Sequence, residues 1–152
     1  MAPVQTTYSF KDLTGVLTHP LLPAPLQLVG GNIGNGQITI RMLTDRAEAE
    51  TAADGTVMIT YISGASAELV VEMQQTSALH HALLSLYNQI VTAAEGGDVG
   101  NVAGIGITLR TVLDGSTHNL QGVAFRKIAD KPYAAKGQNV TWTLLCAYAI
   151  SQ

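Results

Sequence analysis

Residues 67–95 constrain the fold most, because they join a strand directly to the one convincing helix in the sequence. In Ala67-Glu68-Leu69-Val70-Val71-Glu72-Met73, side chains alternate across the strand. Ala67, Leu69, Val71 and Met73 share an apolar face; Glu68, Val70 and Glu72 share the other. Thr76 or Ser77 then offers a helix N-cap, its hydroxyl accepting from an orphan N–H of the first turn. Leu79, Leu83, Leu86 and Ile90 recur at helical spacing, flanked by Ala82 and Tyr87. Gly96-Gly97 ends the helix, since glycine enters the left-handed region without a Cβ penalty. The expectation is a helix over about Ser77–Glu95 that needs a sheet to cover its stripe, because a lone helix of this length is marginal in water.

The remainder reads as strand and turn. Met1 to Gln5 is expected to be a short flexible arm. Thr7 to Phe10 alternates as a strand, with Tyr8 and Phe10 on one face, and Leu13 to Thr18 continues the pairing. His19 to Pro25 must be loop, because three closely spaced prolines remove ladder donors. Leu26 to Val29 is a short strand, Gly30 to Gly36 a turn, and Gln37 to Leu43 a strand. Ala47-Glu48-Ala49-Glu50 favours helix by propensity. With no large apolar residue, a helix over Thr44 to Asp54 would bury almost nothing, so the stretch is read as an extended, exposed β-arm. It returns through Ala53-Asp54-Gly55 and is followed by a strand over Val57 to Ile62. After the helix come a glycine-rich loop to Gly104 and a strand over Ile105 to Leu113. An Asp114-Gly115-Ser116 turn leads into Thr117 to Arg126, a polar loop to Gln138 and a final strand over Asn139 to Ile150. No internal repeat or boundary appears. The whole, 1–152, is expected to be one mainly β domain, an antiparallel β-sandwich or barrel with one flanking helix and an extended β-hairpin arm.

Composition narrows the function classes. The charged fraction of 12% is about half the usual share. Either neighbouring subunits cover part of this bland surface, or the chain is a weakly charged monomer. A formal charge of −3 argues against non-specific nucleic-acid binding, which needs clustered Lys and Arg. Cys146 is the one cysteine and sits among apolar residues, so a buried structural thiol is expected. No apolar run approaches the ~20 residues that cross a bilayer. The N-terminus lacks the basic-then-apolar order of a signal peptide, so an intracellular site of synthesis is expected.

The chemical motifs read as structural. His80 and His81 adjoin, so on a helix they diverge by about 100° and cannot converge on a metal; solvated or interface histidines are expected. His19 and His118 lie on unrelated segments. Glu68 and Glu72 stand about 13 Å apart on one strand face, beyond the ~5–9.5 Å of paired glycosidase carboxylates. A hydrated or subunit-facing polar face is expected there. The glycine runs lack nucleotide-loop spacing, and neither Gly-Lys-Ser/Thr nor Gly-x-Ser-x-Gly occurs. Arg126, Lys127, Lys131 and Lys136 form the one basic cluster. Either loop solvation or an ion pair with an acidic neighbouring subunit accounts for it, the Asp45-to-Asp54 arm being the natural candidate.

Several stretches, taken in order, carry a resemblance. They are Thr7-Tyr8-Ser9-Phe10-Lys11-Asp12-Leu13, the Ala53-Asp54-Gly55 turn, and Thr76-Ser77 followed by Leu83-Leu84-Ser85-Leu86-Tyr87-Asn88. Val123-Ala124-Phe125-Arg126-Lys127, Tyr133-Ala134 and the aromatic final strand complete the series. Together they resemble the tail tube proteins of contractile-tailed bacteriophages, across nearly the whole chain. The His19-to-Pro25 loop has no counterpart in that pattern. The resemblance implies a fold related to the type VI secretion tube protein, and subunits that form hexameric rings stacked into a hollow tube. It implies a surrounding contractile sheath, baseplate and tail-terminator partners, and DNA that passes through the bore without specific binding. It implies no catalysis, cofactor or metal, and a place in the virion tail after synthesis in the host bacterial cytoplasm. The interface expected on this reading comprises Thr44, Asp45, Arg46, Glu48, Glu50 and Asp54 of the arm with Arg126, Lys127 and Lys131. Glu68 and Glu72 are expected to line the bore. A type VI secretion-like tube component and an intracellular small-ligand-binding β-barrel are the alternatives.

Overall fold

A computed structural model describes Gln5 and residues 7–29, 35–112 and 115–152. The strands are β1 (Leu13–Thr18), β2 (Leu26–Val29), β3 (Asn35–Met42), β4 (Ala47–Thr51), β5 (Val57–Tyr61), β6 (Ala67–Gln74), β7 (Ile105–Thr111), β8 (Thr117–Phe125) and β9 (Asn139–Ser151). The single helix, α1, spans Ala78–Glu95. Seven strands form one antiparallel sheet in the order β2-β1-β7-β8-β9-β6-β3, curled into a half-barrel. β4 and β5 form a separate two-stranded hairpin. Helix α1 touches β2 at one edge of the sheet and β6 near the other, so the sheet wraps around it. Among the described residues, no helix is long and apolar enough to cross a membrane.

The core lies between α1 and the concave face. Leu79, Leu83, Leu86 and Ile90 are buried there against Leu69, Val71 and Met73 of β6 and Trp142 and Leu144 of β9. Trp142 is fully enclosed, with Phe125 edge-on to it at 5.3 Å between ring centroids and Tyr87 edge-on to Phe125 at 5.6 Å. Of the two candidate N-caps, Ser77 is the one used: its Oγ accepts from the His80 N–H at 3.1 Å. At the other end Gly97 has φ +103, and the N–H groups of Asp98 and Gly97 donate to the carbonyls of Ala93 and Ala94. That pair of bonds is a Schellman closure.

Curling has a local cause in β8. Ile105 pairs with Val123 but Ile107 pairs with Leu120, so β8 carries an extra residue near Gly122. Gly122 has φ +64, and a Cβ there would stand 2.9 Å from the Ala147 Cβ. A bulge of this kind bends the strand and sharpens its twist.

Three expectations need correction. Thr7 to Phe10 is not a strand. Ser9 Oγ accepts from the Lys11 N–H and starts a 3-10 turn over Phe10–Asp12, leaving Tyr8 exposed. His80 is not solvated: it is 1% exposed, turned under the helix toward Trp142. Val57 to Tyr61 is a strand as expected, and it is the return strand of the arm. Asn35 and Gly36 belong to β3 rather than to the expected turn; the rest of that turn, the 1–4 arm and Asp114 lie outside the described residues.

The unmatched Pro-rich loop has a structural role. The neutral His19 ring donates from Nε2 to the Asn101 carbonyl at 2.8 Å and accepts the Leu21 N–H at Nδ1 at 3.0 Å. It thereby fastens the loop after β1 to the loop after α1. Cys146 is buried as expected, and burial pushes its thiol pKa up.

The helix stripe sets the first test. Leu83→Ala or Leu86→Ala is expected to cost about 2–5 kcal/mol, because each leaves a cavity between α1 and the sheet. Val57→Ala, in the arm, is expected to stay within about 0.5 kcal/mol of wild type. Urea titrations of the three variants check this ranking; equal losses would show that the buried stripe is misassigned.

Candidate assembly interface

The hairpin arm continues the β3–β6 ladder beyond the body. At its neck the hydroxyls of Thr44 and Ser66 share a 2.6 Å hydrogen bond, and the Ile62 N–H donates to the Arg46 carbonyl. Thr44 is therefore engaged in holding the neck. At the tip Asp54 Oδ1 accepts the Thr56 N–H at 2.9 Å, and this bond holds the Asp54 carboxyl below its ordinary pKa. Gly55 beside it has φ +90, the left-handed region glycine tolerates.

All ten strand residues of the arm are exposed. Register sorts them into two unlike faces. Ala47 pairs with Tyr61, Ala49 with Ile59 and Thr51 with Val57, which makes one face apolar. Glu48 pairs with Thr60 and Glu50 with Met58, which makes the other acidic. Ile59 and Tyr61 are 71% and 70% exposed, an apolar surface that a monomer rarely presents without a partner. The expectation of an arm with no apolar anchor is thus corrected: β5 supplies the anchors that β4 lacks. Arg46 is partly occupied at the arm's base, its guanidinium carbon 5.8 Å from the Tyr61 ring centroid and its Nη1 donating to the Ile62 carbonyl.

The basic loop starts at Arg126, which reaches Glu68 beside the arm's neck, and runs toward the opposite end of the sheet. Ala67, next to the arm's neck, faces Cys146 of β9; Gln74, seven residues on, faces Asn139, where the 126–138 loop enters β9. Seven strand residues separate the two ends by about 23 Å. The ends are oppositely charged. The arm holds Asp45, Glu48, Glu50 and Asp54 against Arg46, a net −3, while the loop holds Lys127, Lys131 and Lys136 against Asp130, a net +2 beyond Arg126, whose charge is taken by Glu68. Lys127, Ile128, Lys131 and Pro132 wall a cleft of about 370 Å³ whose floor is Thr141 and Thr143 of β9.

Glu68 departs from the sequence reading. Its side chain is 8% exposed and is gripped by two guanidiniums, Arg41 Nη1 at 3.4 Å and Arg126 Nη1 at 3.1 Å. Arg41 sits opposite Glu68 on β3, and Arg126 follows directly on β8. Removed from water, a carboxylate needs such partners. Glu68 is therefore a neutralised group and not a hydrated one, and Arg126 already has an intrachain partner. Sequence spacing missed the trio because Arg126 is 58 residues from Glu68. Glu72 is half-buried and accepts from the Asn139 side chain at 3.0 Å. Around these groups the open face of the sheet, opposite α1, carries Thr39, Thr108, Thr141 and Thr143.

Comparison with known proteins agrees with this architecture. The sequence profile described as Bacteriophage PhiTE tail tube protein matches residues 5–151. No curated protein sequence matches the chain. Among solved structures, a chain of the anti-feeding prophage baseplate superposes with a TM-score of 0.61 at 8% identity, covering 98% of this chain and 97% of that one. A chain of an extracellular contractile injection system, in its PVC sheath-tube complex in the extended state, superposes with a TM-score of 0.59 at 12% identity, covering 98% and 93%. A chain of the sheath/tube terminator of such a system gives 0.58 at 9%, covering 99% of each. At such identities the likeness carries the fold, whereas the profile match carries the family. With a profile match over nearly its full length, the chain belongs to the Bacteriophage PhiTE tail tube protein family.

Proposed function

We propose that this chain builds the tail tube by stacking head to tail. Subunits form hexameric rings, and the arm of each subunit projects into the basic end of a subunit in the next ring. One observation carries this reading: the net −3 arm leaves one end of the sheet, and the lysines of the 127–138 loop, net +2 with Asp130, lie toward the other. A contact between two different surfaces of one chain is heterologous, and where its rotation does not close a ring it adds copies along an axis. In this contact Asp45, Glu48, Glu50 and Asp54 face Lys127 and Lys131, with Arg126 at the edge; Thr44 and Arg46 hold the arm's base. Sheath, baseplate and terminator proteins complete the particle, which places the chain in the virion tail after synthesis in the host bacterial cytoplasm.

The open face of the sheet lines the bore on this reading, and DNA slides over it during ejection. Free Lys and Arg would release phosphate counterions and hold the DNA. Most of the face is threonine hydroxyl, with Glu68 offsetting one of the two arginines it grips and Glu72 adding a second carboxylate, while Arg110 of β7 is an exposed cation on it. The role is structural and requires no cofactor.

Charge reversal tests the axial contact. Lys127→Glu with Lys131→Glu is expected to abolish tubes seen by negative-stain electron microscopy while leaving the unfolding midpoint near wild type. Glu48→Lys with Glu50→Lys in the same chain is expected to restore them. Replacing residues 46–52 by a short Gly-Ser turn is expected to leave a folded subunit that does not stack. Normal tubes from the doubly reversed loop would remove the arm-to-loop contact from consideration.

A second experiment addresses the bore. Wild-type tubes are expected to retain no short duplex DNA at low salt. Glu68→Gln unmasks Arg41 and Arg126 around the whole bore, and is expected to produce retention that weakens with salt by a slope of about 0.9 per phosphate contact. Tight wild-type binding would reject the non-sticking bore; intact Glu68→Gln tubes that retain nothing would reject this choice of face.

A further inference from the structure

His80 is built into the subunit in a way that packing alone does not require. The ring is buried, and its Nδ1 accepts the Trp142 indole N–H at 3.0 Å. A nitrogen that accepts carries no proton, so the neutral ring holds its hydrogen on Nε2. That Nε2 is buried and has no hydrogen-bond partner among the described residues. The ring lies at the first turn of α1, beside the segment that fastens the basic loop. There the Gln75 side chain donates to the Pro132 carbonyl at 2.8 Å, and the Gln75 N–H donates to the Gln138 carbonyl at 3.1 Å. Ala129 of the same loop is part of the buried core.

We infer that His80 is a proton switch that holds the 126–138 loop in place while neutral and loosens it when protonated. The inference rests on the proposed stacking contact only in its last consequence, the release of tubes. Protonation at Nδ1 replaces an acceptor by a second donor, so the Trp142 hydrogen bond is lost. It also puts a cation in the core opposite Lys131 of the loop. The groups facing the ring are Lys131 from the loop, His81 from its own helix and the non-titrating indole of Trp142 from β9. The ion pairs among the described residues belong to Glu68, so no carboxylate compensates the charge. Burial first, then the positive charges of Lys131 and His81, lowers the His80 pKa from its ordinary 6.5.

The sign follows from proton counts. Below pH 6.5 the unfolded chain takes up the proton before the folded one does. The stability due to neutral His80 is therefore complete above that value and is lost as pH falls toward the lowered folded-state pKa.

Trp142 is the single tryptophan, so its fluorescence reports the switch directly. Unassembled full-length chain, titrated from about pH 8 to about pH 5, is expected to show one emission transition with a midpoint below the ordinary histidine value. Amide exchange of 127–138 and Gln75, corrected for the intrinsic pH dependence, is expected to accelerate by up to about tenfold per pH unit as pH falls from 6.5 toward that midpoint, and to level off below it. His80→Gln, whose carbonyl can still accept from Trp142, is expected to lose both responses. His81→Gln is expected to keep them, and Lys131→Gln to raise the midpoint. A transition that persists in His80→Gln overturns the assignment. Should that variant not fold, NMR titration of the His80 ring in the His81→Gln protein decides instead, and a pKa at or above 6.5 overturns it. A fluorescence transition with unchanged loop exchange rejects the coupling to the loop. Tubes that form at pH 8 are expected to shed subunits below the midpoint in wild type and not in His80→Gln. Absence of tubes at every pH rejects the stacking proposal alone, and the switch is then decided by fluorescence and exchange.

Discussion

The structure depends on how the α1 stripe is covered. Leu79, Leu83, Leu86 and Ile90 have no other apolar surface to meet than the concave face of the sheet. A flat sheet would touch such a helix along one line. Here the helix reaches both β2 and β6, which only a curled sheet permits. Curling in turn needs the extra residue at Gly122 and the close strand approach that a side chain there would block. Trp142 fills the space between helix and curve, and its indole N–H has to find an acceptor once buried. His80 provides it, so the same packing that makes the subunit rigid places a titratable ring in its core.

Curling also divides the sheet chemically. The concave face is apolar and committed to α1; the open face carries threonines, the Glu68 trio, Glu72 and an exposed Arg110. β6 shows the division within a single strand. Leu69, Val71 and Met73 point into the core, and Glu68 and Glu72 point away from it. An exposed Glu68 would add a free negative charge to the open face. Gripped by Arg41 and Arg126, it offsets one of their two positive charges, and it fixes the first residue of the basic loop to the sheet.

Elements whose signal is local were legible in the sequence. The helix, its stripe and its glycine stop follow from spacing, and the arm follows from the lack of any large apolar residue in Ala47 to Thr51. What was not legible depends on neighbours distant in sequence. Ser9 capped a turn where alternation suggested a strand, because no strand lies beside Thr7 to Ser9 to pair with it. His80 was read as solvated from its adjacency to His81; its burial follows from Trp142, 62 residues away. Val57 to Tyr61 alternates like a body strand, and only its pairing with β4 shows that its apolar side faces outward.

That outward side raises a physical problem for a free subunit. A two-stranded hairpin with exposed edges and an apolar face is a template for pairing with any other chain. The arm's own charges limit this. Two arms, each net −3, repel when they approach edge to edge, and the antiparallel registers that bring Glu48 or Glu50 opposite a glutamate of the other arm set like charges against each other. The basic loop is the one segment of the sequence with the charge to offset this repulsion, and in the proposed stacking it receives the arm of a neighbouring copy. The apolar face then adds contact area after the charges have set the approach. Charge decides which surfaces meet, since like-charge encounters are costly whereas exposed opposite charges contribute little affinity of their own. In the proposed stacking, burial of Val57, Ile59 and Tyr61 would supply the stabilisation, at about 25 cal/mol per Å² of apolar surface removed from water. The two faces of one hairpin would then divide selectivity and adhesion between them, and a weakly charged chain would stack in one direction without sticking to itself in others.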